Sequence, residues 1–417
     1  MLTAVCLVST LTLWMRWDVL PARADACTYL DKIAKDWNDA DNWDCGHVPG
    51  TTDVANVPRG IANVPSGTTV NTLNVYNADN GTHFGDVRPQ GNLTVQNLYV
   101  DRYASFPGQP GTVTVNGTLN WEGGPMSGGF TLNLPPGATL NFTQLKNALP
   151  NNLGANLVNA GTINVLSGTL GVPGGTNFVV TNTATISVST GATMTLDAPR
   201  VYLGQGTKFL GGGIVQLTSG NAVVSGTIET QNLVFGNPVN GGVLSGTATI
   251  SGTMRWLGGQ MHGGGVLTIP VSSTLNIGGG TNNKTLDQFT ISNFGTINWT
   301  EIGDIVGSNG AIFNNQSGAL LNAQADADFV DGTPANKPTF NNAGTVRKAA
   351  GSGMTTFGHG GSNGIIFNNT GAVEVMTGTI QIGGNGGAGT SNGNFNALAG
   401  TLIEFTRATT HSPMARR

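Results

Sequence analysis

Gly117-Thr-Leu-Asn-Trp-Glu-Gly-Gly-Pro-Met-Ser-Gly-Gly-Phe-Thr-Leu-Asn-Leu-Pro-Pro-Gly-Ala-Thr-Leu-Asn-Phe142 returns 135 residues later, without a gap, as Gly252-Thr-Met-Arg-Trp-Leu-Gly-Gly-Gln-Met-His-Gly-Gly-Gly-Val-Leu-Thr-Ile-Pro-Val-Ser-Ser-Thr-Leu-Asn-Ile277. Thirteen of the 26 positions are identical. The correspondence begins earlier, at Gln96-Asn97-Leu98 against Gln231-Asn232-Leu233. It continues, after a one-residue slip, to Gly161-Thr-Ile-Asn164 against Gly295-Thr-Ile-Asn298, so that residues 91–170 and 226–304 form an internal duplication. Self-similarity on this scale implies a repeat architecture, in which each unit closes its core only against its neighbours.

A shorter period runs inside the long one. Phe313-Asn-Asn-Gln-Ser-Gly-Ala-Leu320, Phe340-Asn-Asn-Ala-Gly-Thr-Val346 and Phe367-Asn-Asn-Thr-Gly-Ala-Val373 start 27 residues apart, and Phe395-Asn-Ala-Leu-Ala-Gly-Thr-Leu402 follows after 28. Each reads as one coil. Ile291-Ser-Asn-Phe-Gly-Thr-Ile297 and Leu157-Val-Asn-Ala-Gly-Thr-Ile163 are earlier copies, and Gly67, Gly137, Gly191, Gly226 and Gly246 keep a similar pace. Most are followed by a short alternating run such as Thr162-Ile-Asn-Val165 or Thr193-Met-Thr-Leu196. Such alternation turns one side of a strand inward and the other outward, with the Gly supplying a bend. Two expectations follow: the rings of Phe313, Phe340, Phe367 and Phe395 form one inward stack, and Asn residues at one point of successive coils bond into an amide ladder.

Helical solenoids are excluded by 64 Gly and only 10% charged residues among 417. A propeller needs four strands in a period of about 40 or more, longer than the one here. The pattern predicts an all-β chain: a parallel β-helix with coils of about 20–30 residues and a capped N-terminal end. The 38% of hydrophobic residues come in strand-sized pulses, which argues against disorder. A net charge of −4 with no basic cluster argues against nucleic acid as a partner.

At the N-terminus, Leu2 to Met15 is an uncharged apolar run followed by Ala24-Asp-Ala26, so residues 1–26 read as a secretory signal peptide. A lipid anchor on Cys27 is a weaker alternative, because Ala24 and Asp25 fit that processing signal poorly. No transmembrane span is expected after signal removal. Cys27 and Cys45 would then be an even pair in an oxidising compartment, a disulfide or else two buried thiols. The expected organisation is a cap and entry motif over 27–66, a β-helix over 67–405 and a tail over 406–417.

The entry segment carries a family resemblance. Cys27, Asp36-Trp-Asn-Asp-Ala-Asp-Asn-Trp43, Cys45-Gly46 and Pro49-Gly-Thr-Thr-Asp-Val54 resemble the entry motif of bacterial exported β-solenoid proteins. The Asn-x-Gly-Thr coils downstream are similar to those of adhesin-like and autotransporter-passenger-like surface proteins. The resemblance implies a right-handed parallel β-helix, secreted by or held on the surface of a bacterium, and it names no ligand. No membrane barrel or sorting signal is recognised at the C-terminus, so a freely secreted chain or a fragment is expected.

Trp37 and Trp43 are expected to seal the open end of the solenoid, or alternatively to offer a sugar-stacking platform. Trp121 and Trp256 occupy equivalent points of the two long repeats and read as a structural stack or, if they point outward, as a spaced row for glycan contacts. For metal, the densest acidic group is Asp326, Asp328 and Asp331, which reads equally as a solvated loop. Asp39 and Asp41 read as turn residues. His47, His83, His262, His359 and His411 are scattered, and no nucleophile motif accompanies them. The function expected is therefore non-catalytic: an adhesin-like rod without cofactor, whose repeated face meets a polysaccharide or a host or matrix surface. A polysaccharide lyase or glycoside hydrolase on the same scaffold is the alternative.

Overall fold

A computed structural model describes residues 24–31, 35–78, 84–145, 152–173, 179–218, 220–238, 241–332, 336–358, 364–384 and 386–407. The apolar run of the expected signal peptide and residues 408–417 of the tail lie outside the described residues. The chain is all-β, 59% strand and 1% helix, and it stacks parallel coils into a β-solenoid of about 14 turns. Through most of the body each strand pairs in parallel with the third strand after it, so three strands make one coil.

Alternation sets the register. In Thr139–Thr143, Thr162–Ser167 and Thr185–Val188, Leu140, Ile163 and Ile186 align inward, while Thr139, Thr162 and Thr185 align on the outside. Coil length drifts along the rod: stacked Asn residues lie 21 positions apart at Asn120 and Asn141, 24 at Asn298 and Asn322, and 27 at Asn314 and Asn341. A one-residue slip anywhere would turn a whole inner row to solvent, which is why insertions sit at the corners.

The Gly residues do two different things. Gly137 has φ +89° and open space around it, so it is a turn that only Gly adopts without strain. Gly295 is needed for closeness instead: a Cβ there would lie 2.4 Å from both Pro270 O and Ser273 O of the coil before. In the Asn-x-Gly-Thr motif the Gly therefore admits the neighbouring backbone rather than supplying the bend expected of it.

Within the late coils the corner Asn residues are buried and form a ladder. Asn293 donates to Asn315 at 2.9 Å, Asn315 to Asn342 and Asn342 to Asn369 at 2.8 Å each. Their amides also reach Leu320 O, Thr345 O and Ala372 O, and Asn293 Oδ1 accepts from Gly295 N–H, so the ladder staples each corner as well as each coil. Asn159 and Asn182 form an earlier rung of the same kind.

The Phe stack holds for three rings. Phe313 and Phe340 stack at 5.0 Å and Phe340 and Phe367 at 5.4 Å, with Phe329 and Phe357 edge-on from another face. Phe395 does not join them. It aligns with Val373 on a different face and packs edge-on against Phe405. The place above Phe367 is taken by the segment Ala388–Ser391, bridged at Ile366 with Ala388 and at Asn369 with Ser391. The parallel stack also starts earlier than residue 67, since Ala26–Thr28 already pairs with Val54–Val57 and that strand with Thr68–Val75. The cap is thus built onto the first coils instead of preceding them.

Candidate functional site

The residues singled out by sequence fall in three places: the entry cap, the core of the coils, where Trp121 and Trp256 lie, and the coil edge around Asp326, Asp328 and Asp331. In the cap, Cys27 and Cys45 are joined by a disulfide with Cα atoms 5.1 Å apart. Trp37 and Trp43 meet edge-to-face at 4.7 Å, and Tyr29 meets Trp43 at 5.2 Å. Trp43 Nε1 donates to Trp37 O, and the Tyr29 hydroxyl donates to Ile61 O. Burial, with the carboxylates of Asp31, Asp36 and Asp39 nearby, raises the Tyr29 phenol to about 12. Asp39 caps the short 3-10 turn Ala40–Asn42 by accepting from Asp41 N–H, the turn role read from sequence.

Beside the disulfide, His47 Nε2 lies 3.2 Å from Asp25 Oδ2 and Nδ1 lies 3.2 Å from Val48 O. The Val48 carbonyl and then Asp25 raise the imidazole above its ordinary value. Burial alone would raise the Asp53 carboxyl, but amides of Asp25 and Gly50 donate to it and hold it low. Among the described residues, Cys27, Cys45 and His47 are grouped closely enough for a metal, although both sulfurs are committed to the disulfide.

The four Trp named as cap or sugar platform are at most 2% exposed. Their faces meet core side chains, so they offer no row of stacking rings to a glycan. Trp121, Trp256 and Trp299 share one device: each indole N–H donates to a carbonyl of the following Gly-containing corner, at Gly124, Gly258 and Gly303. This lets a large ring with a polar atom fill the core without an unpaired donor.

The acidic group also reads differently in three dimensions. Lys348 is wholly buried, at an inward position of Thr345–Lys348, and its Nζ donates to Asp326 Oδ1 at 2.6 Å and to Thr355. Asp328 accepts from Thr356 N–H, and buried Asp331 pairs with Lys337 at 3.5 Å. Three carboxylates with three separate partners do not converge on a cation. Sequence alternation alone signals Lys348 as an inward lysine, since Val346 two residues earlier is core.

On the outside, rows of polar side chains repeat once per coil. Thr118, Thr139, Thr162 and Thr185 align, flanked by Asn120, Asn141, Asn164 and Ser187. The duplicate carries Thr253, Thr274 and Thr296 beside Arg255, Asn276 and Asn298. Amides bond along these rows, Asn141 to Asn120 at 3.0 Å and Asn298 to Asn276 at 3.0 Å. A third row joins Asn314, Asn341 and Asn368 at 2.8 Å per step.

One acid–base pair escaped the sequence reading. His262 Nδ1 lies 2.8 Å from Asp287 Oδ2, and Gln260 and Asn309 donate to the same carboxylate. The two residues are 25 apart, and only the register of Gln260–His262 on Lys284–Asp287 joins them. His83, His359 and His411 lie outside the described residues. Among those described, no helix is long and apolar enough to cross a membrane. Comparison of the chain with protein-family models, curated proteins and solved structures found no match.

Proposed function

We propose that this chain is a non-catalytic, exported bacterial rod, adhesin-like, that binds an extended polysaccharide or a matrix surface through its repeated outer rows. One observation carries the reading: Thr and Asn recur at the same outer positions coil after coil, in both halves of the duplication. Each row presents hydroxyls and amides with unused hydrogen-bonding capacity, at the spacing of stacked strands, about 4.8 Å. Individually such contacts are weak. A partner that is itself repetitive engages many at once, and the contacts then multiply through effective concentration.

The test is retention of the purified chain on insoluble polysaccharides and matrix proteins, beside versions lacking whole coils. Retention should fall steeply with each coil removed, and a signal unchanged after deletion of the rows at Thr139 and Thr162 would refute the reading. Fractionation of the producing cell tests the location, which should be the medium or the outer surface.

The His262 and Asp287 pair is the observation that favours a lyase or hydrolase. Release of soluble products from a polysaccharide, abolished by His262→Ala and by Asp287→Asn, would establish that second reading in place of the first.

A further inference from the structure

We propose that Cys27, Cys45 and His47 form a redox-gated metal site: a disulfide when oxidised and, when reduced, a two-thiolate, one-imidazole site for a divalent cation of the zinc type. The ligand atoms of these three residues already lie within 4.8 Å of one another. Two sulfurs and one imidazole are the donors that zinc prefers, at about 2.3 Å and 2.0–2.1 Å, with water completing a tetrahedron.

Three further features fit this use. First, each ring nitrogen of His47 faces an oxygen, Val48 O on one side and Asp25 Oδ2 on the other. Whichever nitrogen takes the metal, the other keeps an acceptor that fixes the ring, as in carboxylate–histidine–metal arrangements. Second, Cys27 sits on the paired strand Ala26–Thr28, whereas Cys45 and His47 flank Gly46, whose φ of +75° has open space around it. One ligand is thus rigidly placed, and the other two lie on a turn with room to adjust. Third, the His47 side chain is 43% exposed, so the site opens to solvent on that side and a cation has a path to it.

The chemistry balances with a dithiol as the named reductant. It supplies two electrons and two protons, the Cys27–Cys45 bond breaks to give two thiols, and the dithiol closes to its own disulfide. Metal binding then releases the two thiol protons. Either way the cap keeps a cross-link between its first strand and the turn at Cys45.

The experiment is anaerobic titration of the full chain with Co²⁺, after reduction by a phosphine that does not itself supply thiols. The expected result is one equivalent bound, with thiolate-to-cobalt charge transfer in the near ultraviolet and the intense visible bands of tetrahedral Co²⁺. The oxidised chain should give neither. His47→Ala, which keeps both cysteines and can be folded oxidised before reduction, should weaken binding by more than about tenfold, the loss that even outer partners of a metal ligand cause. Equal binding by the oxidised chain, no binding by the reduced one, or an unchanged titration in His47→Ala would each overturn the proposal. So would loss of the strand circular dichroism on reduction alone, because the site would then not be held by the fold.

Discussion

The entry of the solenoid and its late coils meet the same physical problem and meet it differently. In both, a stack of short strands must bury apolar side chains and satisfy backbone at the corners. Residues 26–64 do so with parts used once: one disulfide, one Trp37–Trp43–Tyr29 cluster and one capped 3-10 turn. Residues 290–375 do so with parts used repeatedly: a stack of three Phe rings and a ladder of four Asn. An end has a neighbour on one side only, so repetition cannot complete it. Covalent and aromatic closure there, and repetition in the interior, are what a one-dimensional core requires.

If that contrast is right, the largest effect comes from breaking the repeated region at its middle. Phe340→Ala removes a ring stacked between Phe313 and Phe367 and touched edge-on by Phe329 and Phe357. It should cost about 3–5 kcal/mol, as deletion of a core aromatic does. Amide hydrogen exchange should rise in the coils on both sides of residue 340 and stay unchanged at the entry cap. Uniform loss of protection along the rod would mean that the two regions are one cooperative unit.

Next comes the cap. Replacing Cys27 and Cys45 together by Ser removes a link between residues 18 apart and should cost about 3 kcal/mol, read from denaturant midpoints. Exchange should now increase near Val54–Val57 and leave the Asn ladder protected. Third in size is Asn342→Ala. Asn315 Nδ2 keeps Thr345 O, but Asn369 Oδ1 loses the donor from Asn342, and the expected cost is about 1–3 kcal/mol for the unsatisfied buried group. Asn341→Ala, one residue away in the outer row, should cost well under that because water replaces the lost partner.

These regions also differ in how far the sequence revealed them. Strand alternation and the Asn-x-Gly-Thr corners disclosed coils, inner rows and the ladder, because a repeated error in register would expose a whole row at once. The disulfide followed from pairing two cysteines. What stayed hidden depended on contacts between coils. Phe395 matched its predecessors in local sequence, yet Ala388–Ser391 had already filled the place above Phe367. Asp326 was read with its neighbours as a weak metal candidate or part of a solvated loop, whereas its partner is the buried Lys348, 22 residues on. His262 and Asp287 met only through strand register.

The last effect, of opposite sign, concerns a residue that neither kind of closure accommodates well. Lys284 is wholly buried, aligned with core Ile305, and its Nζ donates to Asn282 O at 2.8 Å. Burial lowers its pKa, and the carboxylates of Glu301 and Asp304 offset only part of that. The sign follows from linkage. A folded pKa below the unfolded value of about 10.4 means that the unfolded chain holds more protons between the two values, so stability rises with pH across that window. Below the folded pKa the penalty of the buried charge is complete, and above about 10.4 it is gone. Lys284→Met keeps the stem's bulk and removes the charge. It should raise stability at pH 7 by about 1 kcal/mol, the low end of what such replacements give. The advantage over the parent should shrink as both are carried from pH 7 to about pH 10. Paired denaturation curves at the two pH values make the comparison, since every other titrating group is common to both chains. An advantage that stayed constant would place the gain in packing, and a less stable variant would show that Glu301 and Asp304 hold the ammonium as a net stabilising contact at this corner.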